Sequence, residues 1–103
     1  MGNENILQCD TWFHASKVMD LDKQGIKVNQ KPSVCYKPIP FLYLGTLEYI
    51  FNQYFEYAPK GTYQIYKVSL PKDVYVEHLT EGQIRLRRNI PPSQVEKYDV
   101  AQI

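Results

Sequence analysis

The stretch between Thr46 and Gly61 reads as the clearest helix in the chain, and it limits what the rest can be. Leu47, Ile50, Phe51, Tyr54 and Phe55 recur at helical spacing, so one side of the segment is apolar. Thr46 stands ahead of the run as an N-cap, Glu48 and Glu56 bracket it, and Ala58-Pro59-Lys60-Gly61 stops it. An apolar helix face must be covered, and the flanking sequence offers strands to cover it. Phe41 to Leu44 is a continuous apolar run, the pattern of a central strand buried on both faces. Tyr63 to Leu70 alternates and is rich in β formers.

Further strands are expected at both ends. Thr11 to Ala15 is short, apolar and aromatic. Ser16 is placed to cap a turn or helix over 17–21, with Gly25 where a helix C-terminal glycine belongs. Ile26-Lys27-Val28 alternates as a brief strand. Pro32, Pro38 and Pro40 deprive 29–40 of regular structure. A loop of that length is either functional or a plain surface connection, and both readings stand. Val74 to Leu79 and Gln83 to Arg87 follow as strands. Ser93 is placed to cap a single helical turn over 94–98, and 99–103 would close the sheet. The expected fold is α+β, a split, bent β-sheet with one main helix. Residues 1–10 would form a flexible lead-in to a single compact domain over 11–103.

A chain of 103 residues supports one small core, and 44% hydrophobic residues place it outside the disordered class. A net charge of +1 argues for no bulk attraction to nucleic acid or membrane. No apolar run approaches a membrane span, and the start, Met1-Gly2-Asn3-Glu4-Asn5, is polar. Ile6 occupies the position where a myristoylation signal needs Ser or Thr. A cytoplasmic protein is therefore expected, with Cys9 and Cys35 as free thiols and a single disulfide as the alternative. The histidines have no carboxylate at ligand spacing, so neither a metal nor a membrane is expected as a partner.

The chemistry rests on a few side chains. There is no phosphate-cradling glycine loop and no nucleophile elbow. His14, beside the small Ala15 and Ser16, can hydrogen-bond a ligand hydroxyl or phosphate; its plainer role is a histidine satisfied by a backbone group of the sheet. Tyr43 can stack on a planar ligand or pack in the core. Gln83 or Glu81 can hydrogen-bond a sugar or simply face solvent. Alternation puts Arg85 and Arg87 on one face, to meet phosphate or water.

Taken in order, Phe13-His14-Ala15-Ser16, Leu42-Tyr43-Leu44-Gly45-Thr46 before an aromatic helix, and Gly82-Gln83-Ile84-Arg85-Leu86 ahead of Asn89-Ile90-Pro91-Pro92 resemble the ADP-ribosyltransferase superfamily. The resemblance is to its His-Tyr-Glu branch, which includes diphtheria-toxin-like enzymes and the tRNA 2′-phosphotransferases. It implies NAD+ as substrate, with His14 on the adenine-side ribose, Tyr43 and Tyr54 packed on the nicotinamide, and Ala15, Ser16 and Thr46 as further cofactor-binding positions. Gln83 falls where the family carries its catalytic Glu, with Glu81 two residues away as a substitute. Ala15 stands in place of the usual Gly. The resemblance implies transfer of ADP-ribose to a host macromolecule, the work of a toxin or phage protein. Two alternatives stand beside it: an inactive relative that binds a nucleotide or a protein as an inhibitor, and an unrelated small interaction domain.

Overall fold

The computed structural model describes residues 11–28, 41–80 and 82–103. The expected lead-in, the proline-bearing loop over 29–40, both cysteines and Glu81 lie outside the described residues. The elements are β1 (Thr11–Ser16), α1 (Leu21–Gln24), β2 (Leu42–Gly45), a helix α2 over 47–57, β3 (Thr62–Ser69), β4 (Glu77–Thr80), β5 (Gln83–Leu86) and β6 (Val95–Gln102). The strands form one open antiparallel sheet in the order β4-β5-β2-β1-β3-β6. The domain is α+β with one main helix.

A split sheet was expected; the strands instead join as one sheet that carries a seam. β2 pairs with β5 along its whole length, Leu42↔Leu86 to Gly45↔Gln83. β1 pairs with β3 along its whole length, Thr11↔Ser69 to Ser16↔Gln64. Between β1 and β2 the ladder consists of Phe13↔Gly45 alone. The seam thus separates β4-β5-β2 from β1-β3-β6.

Each face of the sheet has its own core. On one face Trp12, Leu44, Tyr66, Val68 and Ile84 pack with Ile26, Val76 and Ile90. On the other, Ala15, Tyr63 and Ile65 pack under Ile50 and Ala58, with Leu47, Tyr49, Tyr54 and Phe55 against them. That second core covers the β1-β3-β6 half. Further along β2 and β5 the same face is only half-buried at Tyr43 and Arg85.

Local chemistry explains α2 up to a point. Thr46 Oγ1 accepts from the Tyr49 amide at 3.1 Å, which satisfies one of the free donors of the first turn. Ile50 is 3% exposed, so the apolar face is buried as its spacing requires. The helix is not regular. Leu47–Tyr49 and Phe55–Tyr57 are α-helical, but Ile50–Tyr54 is a π-helical turn. The wider turn lets two successive residues, Tyr54 and Phe55, both reach the Tyr63 ring, at 6.2 and 5.3 Å.

Several sequence expectations need correction. Of the turn or helix expected over 17–21 after Ser16, the structure has the turn. Ser16 ends β1, and its Oγ accepts from the Val18 amide at 3.0 Å in a tight turn. The buried Tyr66 hydroxyl then donates to the Val18 carbonyl and accepts from the Leu21 amide, so the helix begins only at Leu21. Gly25 does follow that helix, at φ +82. Residues 26–28 contribute only an isolated bridge, Ile26↔Ile90. β2 begins at Leu42 and is not buried on both faces, because Tyr43 lies beyond the cover of α2. β4 begins at Glu77, not Val74. Ser93 lies inside a 3-10 turn, Pro92–Gln94, and the closing strand starts at Val95, where β3 offers its free edge.

Candidate functional site

The residues singled out from the sequence fall on three neighbouring strands. β1 carries His14, β2 carries Tyr43, and β5 carries Gln83 opposite Gly45. His14 Nδ1 donates to the Tyr43 carbonyl oxygen at 3.0 Å, across the seam. A carbonyl can only accept, so the bond places the proton on Nδ1 and leaves Nε2 of the neutral ring as an acceptor. Nε2 has no hydrogen-bond partner among the described residues. The plain role of a histidine held by the backbone is therefore real, and it accounts for one of the two ring nitrogens.

By exposed area His14 is half-buried, yet protein packs closely enough round it that desolvation pushes its pKa below 6.5. The bond to Tyr43 opposes that shift without reversing it. The ring is thus neutral at ordinary pH.

Gly45 and Gly82 bring β5 and α2 together. The Thr46 amide donates to the Gly82 carbonyl at 2.8 Å. A Cβ on Gly45 would stand 2.7 Å from Cδ2 of Tyr49, so the missing side chain is the space the Tyr49 ring occupies. Gly82 has φ +87, and a Cβ there would meet Thr46 Oγ1 at 2.9 Å. The Tyr49 hydroxyl, in turn, is hydrogen-bonded to the side chain of Gln83. Burial raises the Tyr49 pKa, with the nearby Tyr57 adding to the rise and the Gln83 bond opposing it.

Tyr49 is the site residue that sequence reasoning missed. The available signal was its place three residues after the Thr46 cap, in the first turn and so above Gly45.

Tyr43 continues the site away from the helix. Its side chain hydrogen-bonds Arg85, its cross-strand neighbour. Arg85 Nε also donates to Glu77 Oε1 at 2.7 Å. That hydrogen bond, more than the general attraction of Arg85 and Arg87, holds the Glu77 carboxyl below its usual range.

The other expected residues are placed differently. Ala15 is 8% exposed and packs beneath α2, so its side chain belongs to the core. Ser16 is engaged in the turn after β1. Thr46 serves the helix cap. Tyr54 packs edge-on against Tyr63 of β3, which lies on the far side of β1 from Tyr43.

Among the described residues no group of three or more His, Cys, Asp or Glu is arranged to hold a metal ion. No helix among them is long and apolar enough to cross a membrane. No family model matches the chain, and no curated protein or solved structure matches it.

Proposed function

We propose that the chain binds NAD+ at the β1–β2 seam and transfers its ADP-ribose to a macromolecule, as the resemblance to ADP-ribosyltransferases implies. The observation that carries the reading is the bond from the His14 ring to the Tyr43 backbone across the seam, with Gln83 on the next strand; the His14 side chain lies on the Trp12–Tyr66 face, and those of Tyr43 and Gln83 lie on the other, so a ligand must reach both through the seam. His14 and Tyr43 are distant in sequence, and nothing in their local patterns requires their bond.

The chemistry of the groups fits the ligand. Nε2 of a neutral His14, unpartnered among the described residues, accepts a hydrogen bond from a ribose hydroxyl. Tyr43 offers a half-exposed ring against which a nicotinamide stacks. Gln83, held by Tyr49, presents an amide to the other ribose. When nicotinamide departs, positive charge develops on that ribose. An amide dipole stabilises it less than a carboxylate does, so transfer by this chain is slow unless Glu81 contributes. The same amide favours a second reading, a nucleotide-binding protein without turnover.

The test is a titration of NAD+ against wild type and His14→Ala, followed by an assay of released nicotinamide. Binding that the substitution abolishes, with release, supports transfer. Binding without release selects the second reading. Absence of binding to the wild type removes both.

A further inference from the structure

We propose that the part-exposed face formed by Phe41, Arg85 and Arg87 binds single-stranded nucleic acid, with an unpaired base on the flat surfaces and the phosphodiester on Arg87. The guanidinium carbons of Arg85 and Arg87 lie 4.2 and 4.6 Å from the centroid of the Phe41 ring. Tyr43 stands next to Phe41, with ring centroids 6.3 Å apart. The outcome is a patch of planar aromatic and guanidinium groups on one sheet face, beyond the cover of α2.

The arginines differ in what holds them. Arg85 is tied to Glu77 at 2.7 Å, which fixes its plane. Arg87 is exposed, and no carboxylate lies within ion-pair distance of it among the described residues. Among the described residues, one guanidinium is therefore held by a carboxylate and the other is not.

The ligand that complements such a patch carries both a π-face and a negative charge. An unpaired nucleotide has both, since each base stacks on an aromatic or guanidinium plane and each linkage supplies a phosphate. An acidic protein segment offers charge alone and makes no use of the stack. A duplex hides the faces of its bases. The net charge of +1 excludes strong bulk attraction, so the affinity comes from the patch and is modest. The patch adjoins Tyr43 of the NAD+ reading, but the proposal rests on Phe41, Arg85 and Arg87 and is tested without NAD+.

The experiment is fluorescence anisotropy of a labelled oligothymidylate of about twelve nucleotides, titrated with the full chain over a series of salt concentrations. Wild type is expected to bind more weakly as salt rises. Arg87→Gln is expected to reduce the slope of log K against log salt by about 0.7, the loss of one phosphate contact on a single strand. Phe41→Leu is expected to weaken binding by about fivefold or more through lost stacking. Arg87 is exposed, so its substitution leaves folding intact and keeps the test decisive should Phe41→Leu prove unstable. No binding, an unchanged salt slope in Arg87→Gln, a preference for duplex, or displacement by poly-glutamate as effective as by unlabelled oligonucleotide would each overturn the proposal.

Discussion

His14 Nδ1 donates to the carbonyl oxygen of Tyr43 at the point where β1 and β2 part after a single paired position, Phe13↔Gly45. One side chain thus does in the seam what a ladder of backbone bonds does elsewhere in the sheet. It joins the two halves and leaves its second nitrogen without a hydrogen-bond partner among the described residues.

The first consequence concerns stability. In His14→Ala the Tyr43 carbonyl loses its donor in a partly buried position. The expected cost is about 1–3 kcal/mol, the range for leaving a buried polar group unsatisfied. His14→Gln keeps an N–H that can reach the carbonyl and is expected to recover part of that loss. Urea unfolding of the three proteins, compared by midpoint at constant slope, checks both outcomes.

The second concerns pH. Burial depresses the folded-state pKa of His14 below the 6.5 of the free side chain. The folded protein therefore binds this proton less readily than the unfolded chain does. The contribution to stability is fully present above pH 6.5 and is lost as pH falls through the depressed folded value. Unfolding midpoints at neutral pH and at about pH 5 are expected to differ more in wild type than in His14→Gln, which cannot titrate there. An equal difference in both proteins would assign the effect to other groups.

The meeting of α2 with β5 yields a third prediction. Gly82→Ala places a side chain at φ +87 and against Thr46 Oγ1, with an expected cost of about 1–2 kcal/mol from the backbone alone. Gly45→Ala drives a Cβ into the Tyr49 ring. Because that clash belongs to the pair, Tyr49→Ala should relieve it. A double-mutant cycle between positions 45 and 49 is expected to show a coupling of about 0.5–3 kcal/mol. Additive effects would mean that the ring is displaced at no cost.

What the sequence disclosed was local. The Thr46 cap, the apolar face of α2, its stop at Ala58-Pro59 and the strand after Thr62 all follow from neighbouring residues, and the structure has them. The choice between turn and helix after Ser16, and the onset of β6, are not fixed by the sequence because tertiary partners decide them. The Tyr66 hydroxyl holds the backbone at Val18 and Leu21, and the edge of β3 draws Val95 into a strand. The π-helical turn left no mark in the spacing, since an aromatic-rich helix face tolerates one extra residue. Within the site, His14 and Tyr43 were legible as residue types, but their bond was not, because it depends on where two strands separate. Tyr49 passed as one more helix residue until the bare backbones of Gly45 and Gly82 showed what its ring rests on.

The last prediction tests the chemistry through Gln83. The Tyr49 hydroxyl is hydrogen-bonded to the Gln83 side chain. In Gln83→Glu the same hydroxyl can rotate and donate to the new carboxylate, so the substitution needs no rearrangement of α2. If NAD+ lies along the seam as proposed, the carboxylate faces the ribose on which positive charge develops. It then stabilises the transition state more than the bound substrate. Nicotinamide release is expected to rise by about tenfold or more, the scale of one preorganised electrostatic contact, with little change in NAD+ affinity. Unchanged release at unchanged affinity would separate Gln83 from the reacting ribose and leave the seam as a binding site alone.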